Sequence, residues 1–434
     1  MQRKNRRIQP LLFVAALILS CTSCGRAETE SPETPITIEA ATKAPDSGFD
    51  SGFCEKAQDE NHFGSVFTTT EDALYFISGM DLGIPNQLMY VDKKSGVSGP
   101  LCGKAECTHS GDDCNATFGS GGRIYALSKY GEEQLILLCE QAEQDDPNAL
   151  AVILVRQDGT ERRQLRTIPD PWEGSARLNT WAMLHRGYAV IGGVRQTVED
   201  GEMENIAFVK AYPVDGGEAV TVYEGTPNPQ PNGRVALQAV GDEVHFFDSE
   251  SASSEETDSD EPQLIAGKWN LQTKKTQRIY EGAFLLYVWD TRVEGTDILL
   301  SGLGALEICR LSTADGSVSE AFIFPDSENS APVASFTSEG AVVYYYPDSP
   351  DCSKRRIILS DYSGNPSHKH EEAEDLITYK DTAFTRTFCG CVDGELYYYF
   401  CGKTGEKTQR RCLRAISVET GVVKTLWEEE VPGL

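Results

Sequence analysis

An all-β fold, a β-propeller of seven four-stranded blades, is what this 434-residue sequence predicts, on three observations. A short turn of Asp, Glu or Gly launches an apolar strand near Leu74, Ile124, Tyr188, Val244, Ile298, Val342 and Leu396, about 54 residues apart. A later turn recurs with the same spacing, at Gly96, Gly159, Gly216, Thr273, Gly316, Gly364 and Gly421. Flanking segments alternate with period two, as Ile206 and Phe208 against Ala207 and Val209, and carry Val, Ile, Tyr and Phe between Gly or Asp turns. Sustained helical spacing is scarce, and Gln134 to Leu150 is the one segment that also reads as a helix. Four short antiparallel strands cannot bury both faces alone, so units stack on one another, and radial stacking closes a ring. Six or eight blades are the counting alternatives, and stacked sandwich domains are the rival architecture.

The ring is expected over residues 61–434, behind two segments that are not part of it. Arg3, Lys4, Arg6 and Arg7 precede an apolar run, Leu11 to Leu19, too short to span a bilayer as a mature helix but suited to the core of a secretory signal over residues 1–20. The run ends in Ile18-Leu19-Ser20-Cys21, which resembles the lipobox of bacterial lipoproteins. The resemblance implies cleavage before Cys21 and acylation of that residue, with Cys24 as the competing position. Residues 21–60, rich in Glu, Thr, Pro, Ser and Ala, lack the apolar surface to offset ordering and read as a tether. A second acidic stretch, Asp248 to Pro262, reads as a surface loop rather than a cation site, because it lacks the ordered spacing and turn Gly of a calcium loop. Beyond the signal no apolar run is long enough for a membrane helix, so the lipid is the expected membrane attachment and the extracytoplasmic face of a bacterial membrane the expected location.

The repeated units also resemble the propeller lipoproteins of Gram-positive gut bacteria and, more distantly, TolB-like propellers. That likeness implies architecture and confers no activity.

The net charge of −28 disfavours a nucleic-acid partner, since phosphate contacts need clustered Lys and Arg. Removing residues 1–20 takes away four cationic side chains and no carboxylate, which makes the balance −32.

Of 13 cysteines, eleven lie beyond the lipobox region. Outside the cytoplasm such a density favours disulfides. The sharpest cluster is Cys102, Cys107, His109 and Cys114, within thirteen residues of one loop. Three thiols and an imidazole suit a tetrahedral zinc ion, yet the spacing C-x4-C-x-H-x4-C matches no common zinc motif. A loop disulfide is therefore favoured over zinc, with free thiols as the third reading. Cys401 and Cys412 flank the turn 402–411 and are expected to face one another for a cross-strand bridge, while Cys389 and Cys391 are expected to share one face of a strand.

No Ser-elbow, phosphate loop, dinucleotide fingerprint or zinc-protease motif occurs, so no catalytic residue and no cofactor is expected. Polar residues on the innermost strands are the candidates for a channel site: His185, Gln238, Asp290, Arg292, Thr337 and Arg386. A guanidinium in such a channel suits a carboxylate or sulfated ligand. The resulting expectation is a monomeric, surface-anchored, non-catalytic propeller that binds an unknown protein or glycan. The alternative is a polysaccharide hydrolase or lyase with its site at the channel mouth.

Overall fold

The computed structural model describes residues 60–62 and 66–432, with short interruptions of which 251–262 and 372–384 are the longest. All of these residues belong to the unit Ala40–Leu434. The predicted signal, Cys21, Cys24 and nearly all of the tether lie outside the described residues, as does Thr337.

Every regular element among the described residues is a strand, and Gln134–Glu140 is one of them rather than part of a helix. Sheet 1 contains β2 (Phe67–Thr69), β3 (Ala73–Ser78), β4 (Asn86–Asp92) and β5 (Ser98–Pro100), with the short β6 (Thr117–Phe118) also on β4. Sheet 2 contains β7 (Ile124–Tyr130), β8 (Gln134–Glu140), β9 (Leu150–Arg156) and β10 (Arg162–Ile168). Sheet 3 contains β11 (Ala176–His185), β12 (Tyr188–Glu199), β13 (Glu202–Pro213) and β14 (Val220–Glu224). Sheet 4 contains β15 (Arg234–Val240), β16 (Glu243–Glu250), β17 (Gln263–Asn270) and β18 (Thr276–Ala283). Sheet 5 contains β19 (Val288–Glu294), β20 (Asp297–Gly302), β21 (Glu307–Ser312) and β22 (Val318–Ile323). Sheet 6 contains β23 (Ser330–Phe336), β24 (Ala341–Pro347), β25 (Arg356–Ser360) and β26 (Pro366–Glu371). Sheet 7 contains β27 (Thr385–Val392), β28 (Glu395–Lys403), β29 (Thr408–Ser417) and β30 (Val423–Pro432). Each sheet runs antiparallel in chain order, and β1 (Glu60–His62) adds to the free edge of β15, pairing His62 with Gln238.

The apolar runs that mark the sequence repeat are mostly second strands: β3, β12, β16, β20, β24 and β28. In sheet 2 the marked run, starting at Ile124, is instead the first strand, β7. Second and third strands are covered on both faces, so they read as continuous apolar runs; β3 is buried throughout and β9 nearly so. Fourth strands lie at an outer edge; β18 is largely exposed and β10 mostly half-buried. All seven recurrent turns connect third strand to fourth. In five of them an Asp or Asn side chain caps the turn: Asp92 accepts from the Ser95 N–H, Asp158 from Thr160, Asn270 from Thr273, Asp315 from Ser317 and Asp361 from Ser363.

Consecutive sheets share apolar clusters. Tyr75, Leu88 and Leu101 of the first region pack with Leu135, Leu137 and Ile153 of sheet 2. Comparable clusters join sheets 2 and 3, 3 and 4, 4 and 5, 5 and 6, and 6 and 7. A further cluster joins sheet 7 to sheet 1: Tyr397, Tyr399, Leu413 and Trp427 pack on Phe67, Leu74, Phe76 and Met89. There the Phe67 and Tyr397 rings stack with centroids 4.8 Å apart, and the Gly79 N–H donates to the Tyr399 hydroxyl at 3.4 Å.

Two sequence expectations are corrected by register. The β28–β29 hairpin of sheet 7 pairs Cys401 with Arg411 and Phe400 with Cys412. This one-residue offset leaves Cys401 and Cys412 out of the directly opposed register that the expected cross-strand bridge would use. A bulge between Phe388 and Gly390 likewise breaks the alternation of Cys389 and Cys391. Cys389 packs into the cluster between sheets 7 and 1, and Cys391 into that between sheets 6 and 7. The acidic stretch is also shorter as a loop than expected, because β16 runs to Glu250 and Asp248 is fully buried, accepting from the Tyr223 hydroxyl at 2.8 Å.

Phe76→Ala is expected to lower unfolding free energy by about 3–5 kcal/mol through the cavity it opens between sheets 7 and 1. A denaturation midpoint equal to that of the parent protein would show that this contact does not hold the two sheets.

Candidate metal centre

The connection from β5 to β6 is built around its cysteines, because it has little else to fold upon. Its buried apolar side chains are Leu101, Cys114 and Ala116. The Lys104 ammonium donates to the Asp113 carbonyl, drawing the two limbs of the loop together. Glu106 and His109 take positive φ, 64° and 57°, and so turn the chain tightly on either side of Cys107. The His109 carbonyl is fixed by the Gln87 amide at 2.6 Å and the Thr117 hydroxyl at 3.2 Å.

This folding brings four ligand atoms together. The sulfurs of Cys102, Cys107 and Cys114 and a ring nitrogen of His109 all lie within 4.8 Å of one another. The Cys114 Sγ is 3.5 Å from His109 Nδ1. No disulfide is present among the described cysteines, and Cys102, Cys107 and Cys114 are free thiols where the sequence favours a loop bridge. Each sulfur receives a backbone N–H two residues ahead, Lys104 onto Cys102, His109 onto Cys107 and Ala116 onto Cys114. Each turn thus aims its sulfur inward at a common point. Burial raises the Cys102 thiol, but the Lys104 and Asn115 N–H groups and the neighbouring thiols outweigh it and leave the group below its ordinary value. Cys107 is drawn down by the His109 N–H, yet burial and the adjacent sulfurs leave it above.

The loop is clamped onto sheet 2. The Gly103 N–H and the Asn115 side-chain amide both donate to the Gly159 carbonyl, at 2.9 and 2.7 Å. Gly159, at φ +71°, could carry no side chain here, because a Cβ would stand 2.7 Å from the Gly103 nitrogen and 2.8 Å from the Cys102 nitrogen. The Arg162 guanidinium donates to the carbonyls of Cys114 and Thr117, at 3.2 and 2.6 Å, and lies over the Phe118 ring. Beside Cys114 opens a cleft of about 320 Å³ with Lys104, Arg162 and Arg163 on its wall. Sequence reading missed these supporting residues; the one local sign was the Asp158-Gly159 turn.

The innermost-strand candidates are placed differently. His185, Gln238 and Arg292 are buried, and they join one sheet to the next. His185 donates through Nε2 to the Gly241 carbonyl at 2.7 Å. The Gln238 carbonyl oxygen accepts from the Val293 N–H at 2.9 Å, so β15 is tied to β19. Asp290 Oδ2 accepts from the Phe336 N–H at 3.0 Å, so β19 is tied to β23. Arg292 pairs with Glu294 at 2.6 Å and lies over the Tyr362 ring of sheet 6. Arg386 sits opposite Phe400 in the β27–β28 register. A buried pair not foreseen from sequence, Arg186 with Asp242 at 2.7 Å, joins the same two turns as His185. Elsewhere, loss of water pushes the buried Cys139 and the partly buried Cys389 up to about 12, which holds both protonated.

No protein-family model matches this chain, and no curated protein matches it. Solved structures do. A prolyl endopeptidase is similar over 87% of this chain and 51% of its own, at 11% identity and a TM-score of 0.51. The chain thus spans about half the length of that relative. The β-propeller domain of the Trilobed protease from Pyrococcus furiosus, described as having an open velcro topology, is similar over 84% of this chain and 95% of its own, at 10% identity and TM-score 0.46. An acylaminoacyl peptidase from Pyrococcus horikoshii covers 87% of this chain and 54% of its own, at 11% identity and TM-score 0.47. The repeated four-stranded sheets, their first strands packed side by side, define a β-propeller domain.

His185 and His245 are both buried and held neutral, pushed down to about 4 by loss of water. An unfolded chain takes up protons on these groups below pH ~6.5 while the folded chain does not until ~4, so stability falls as pH drops through that window. Each is expected to cost about 2 kcal/mol at pH 5 relative to pH 7.5. Urea titrations of the protein and of His185→Gln at both pH values check this: the substitution is expected to remove about half of the pH-dependent loss.

Proposed function

We propose that the chain is a lipid-anchored extracytoplasmic protein whose domain is a closed propeller of seven blades, non-catalytic, and that it binds a protein or glycan. The observation that carries the non-catalytic reading is the use made of the inner-strand polar groups. His185 through Nε2, Gln238 through its carbonyl oxygen, Asp290 through Oδ2 and Arg292 over the Tyr362 ring hold sheet to sheet, so these groups are committed to the fold instead of converging on a substrate. The pairing of β1 along the inner edge of β15 adds to this, since the chain's own backbone occupies that edge. Seven sheets, with apolar packing from the seventh to the first, support closure at seven blades.

The lipobox-like Ile18-Leu19-Ser20-Cys21 supports anchorage at Cys21, with residues 21–60 as the tether and the propeller from 61 onward. For the ligand, the cleft beside Cys114 gathers Lys104, Arg162 and Arg163 in a protein of net charge −28, which suits an acidic glycan or a carboxylate-rich protein segment.

Two measurements test the reading. Metabolic labelling with a fatty acid and detergent partition are expected to put the protein in the membrane fraction, and Cys21→Ser to release it. Binding to an array of acidic polysaccharides is expected to weaken several-fold in Arg163→Ala and with added salt. Release of shortened or unsaturated sugar products by the intact protein would overturn the non-catalytic reading.

A further inference from the structure

We propose that Cys102, Cys107, His109 and Cys114 bind one zinc ion as a closed structural centre that fastens the β5–β6 connection of sheet 1 onto sheet 2. The inference stands apart from the binding role, and rests on the geometry of the loop itself.

Four features of the loop support it. First, the donor set is right: three sulfurs and one imidazole nitrogen are the ligands that a borderline-soft, tetrahedral divalent ion takes. Second, the spacing is right. With metal–sulfur bonds near 2.3 Å and metal–nitrogen bonds near 2.0 Å, a tetrahedron separates its ligand atoms by roughly 3.5–3.8 Å. The four atoms already lie within 4.8 Å of each other, and the His109 to Cys114 separation is 3.5 Å. Third, each sulfur receives the amide of the second residue onward, at Lys104, His109 and Ala116, and a thiolate gains from such donors far more than a disulfide sulfur does. Fourth, the loop has few apolar side chains to hold it, and yet it is fixed to sheet 2 by four hydrogen bonds through Gly159 and Arg162. A metal supplies the missing internal constraint, as it does in other small loops without a core.

Four protein ligands leave no open position for water or substrate, so the centre is structural rather than catalytic. Zinc binding releases the protons of the three thiols and involves no change of oxidation state, so no oxidant or reductant is needed.

The test uses the full-length protein, purified without chelator and also refolded under reducing conditions with one equivalent of zinc sulfate. Metal analysis is expected to give one zinc per chain. Alkylation followed by peptide mass mapping is expected to leave Cys102, Cys107 and Cys114 protected until a chelator is added. Cobalt replacement is expected to give the intense visible absorption of a tetrahedral thiolate site. Cys107→Ser and His109→Ala, with circular dichroism as the folding control, are expected to reduce zinc retention at least tenfold. Should either variant fail to fold, protection and the cobalt spectrum of the parent protein decide by themselves. Less than one zinc in five chains after reductive refolding, or an intact mass lower by two hydrogens with a bridge mapped to this loop, would overturn the proposal.

Discussion

The whole domain depends on one constraint: a four-stranded antiparallel sheet whose middle strands are apolar on both faces must be covered on both sides. β3, β8 and β9 show it most directly, being buried from end to end or nearly so. Neighbouring sheets therefore cover one another's apolar faces, and a further cluster lies where the last sheet meets the first. Here that meeting is made by side chains. Apart from β1, which adds to sheet 4, each sheet is composed of its own consecutive strands, so among the described residues no strand is shared between sheet 7 and sheet 1, and Phe67, Phe76, Tyr397, Tyr399 and Trp427 carry the contact. Stability is thus distributed over interfaces of similar make, and loss at any one of them exposes two sheets at once.

Polar groups complete what apolar packing cannot specify. Apolar faces slide; hydrogen bonds have fixed geometry. Gln238 to Val293 and Asp290 to Phe336 set the height of one inner strand against the next, and the buried Arg186–Asp242 pair and His185 do the same where sheets 3 and 4 meet. These groups are costly to bury without partners and specific once paired, which explains polar residues on strands at the centre of a protein with so much apolar surface. The same economy ties the cysteine loop to its neighbour, since Gly159 offers a carbonyl to both Gly103 and Asn115.

The cysteines show how one residue type takes different roles by position. Cys139 and Cys389 are small apolar fillers, held protonated by burial. Cys102, Cys107 and Cys114 sit in a loop whose backbone turns bring N–H groups onto each sulfur. Composition made disulfides the natural expectation, and it is the backbone path of this loop that favours a shared ligand point instead.

By itself the sequence determined the repeat, the strand content and the positions of all seven third-to-fourth turns, because turn chemistry and continuous apolar runs are local signals written in consecutive residues. It also grouped the four residues of the cysteine loop, whose closeness in space follows from closeness in the chain. Only the tertiary structure decided which strand is innermost in sheet 2, that Cys401 is out of register with Cys412, that Cys389 and Cys391 part at a bulge, and that the inner-strand polar groups bind the next sheet. Those outcomes depend on register and on partners some 50 residues or more away, as with Gln238 and Val293, and no local pattern records where a distant strand will come to rest.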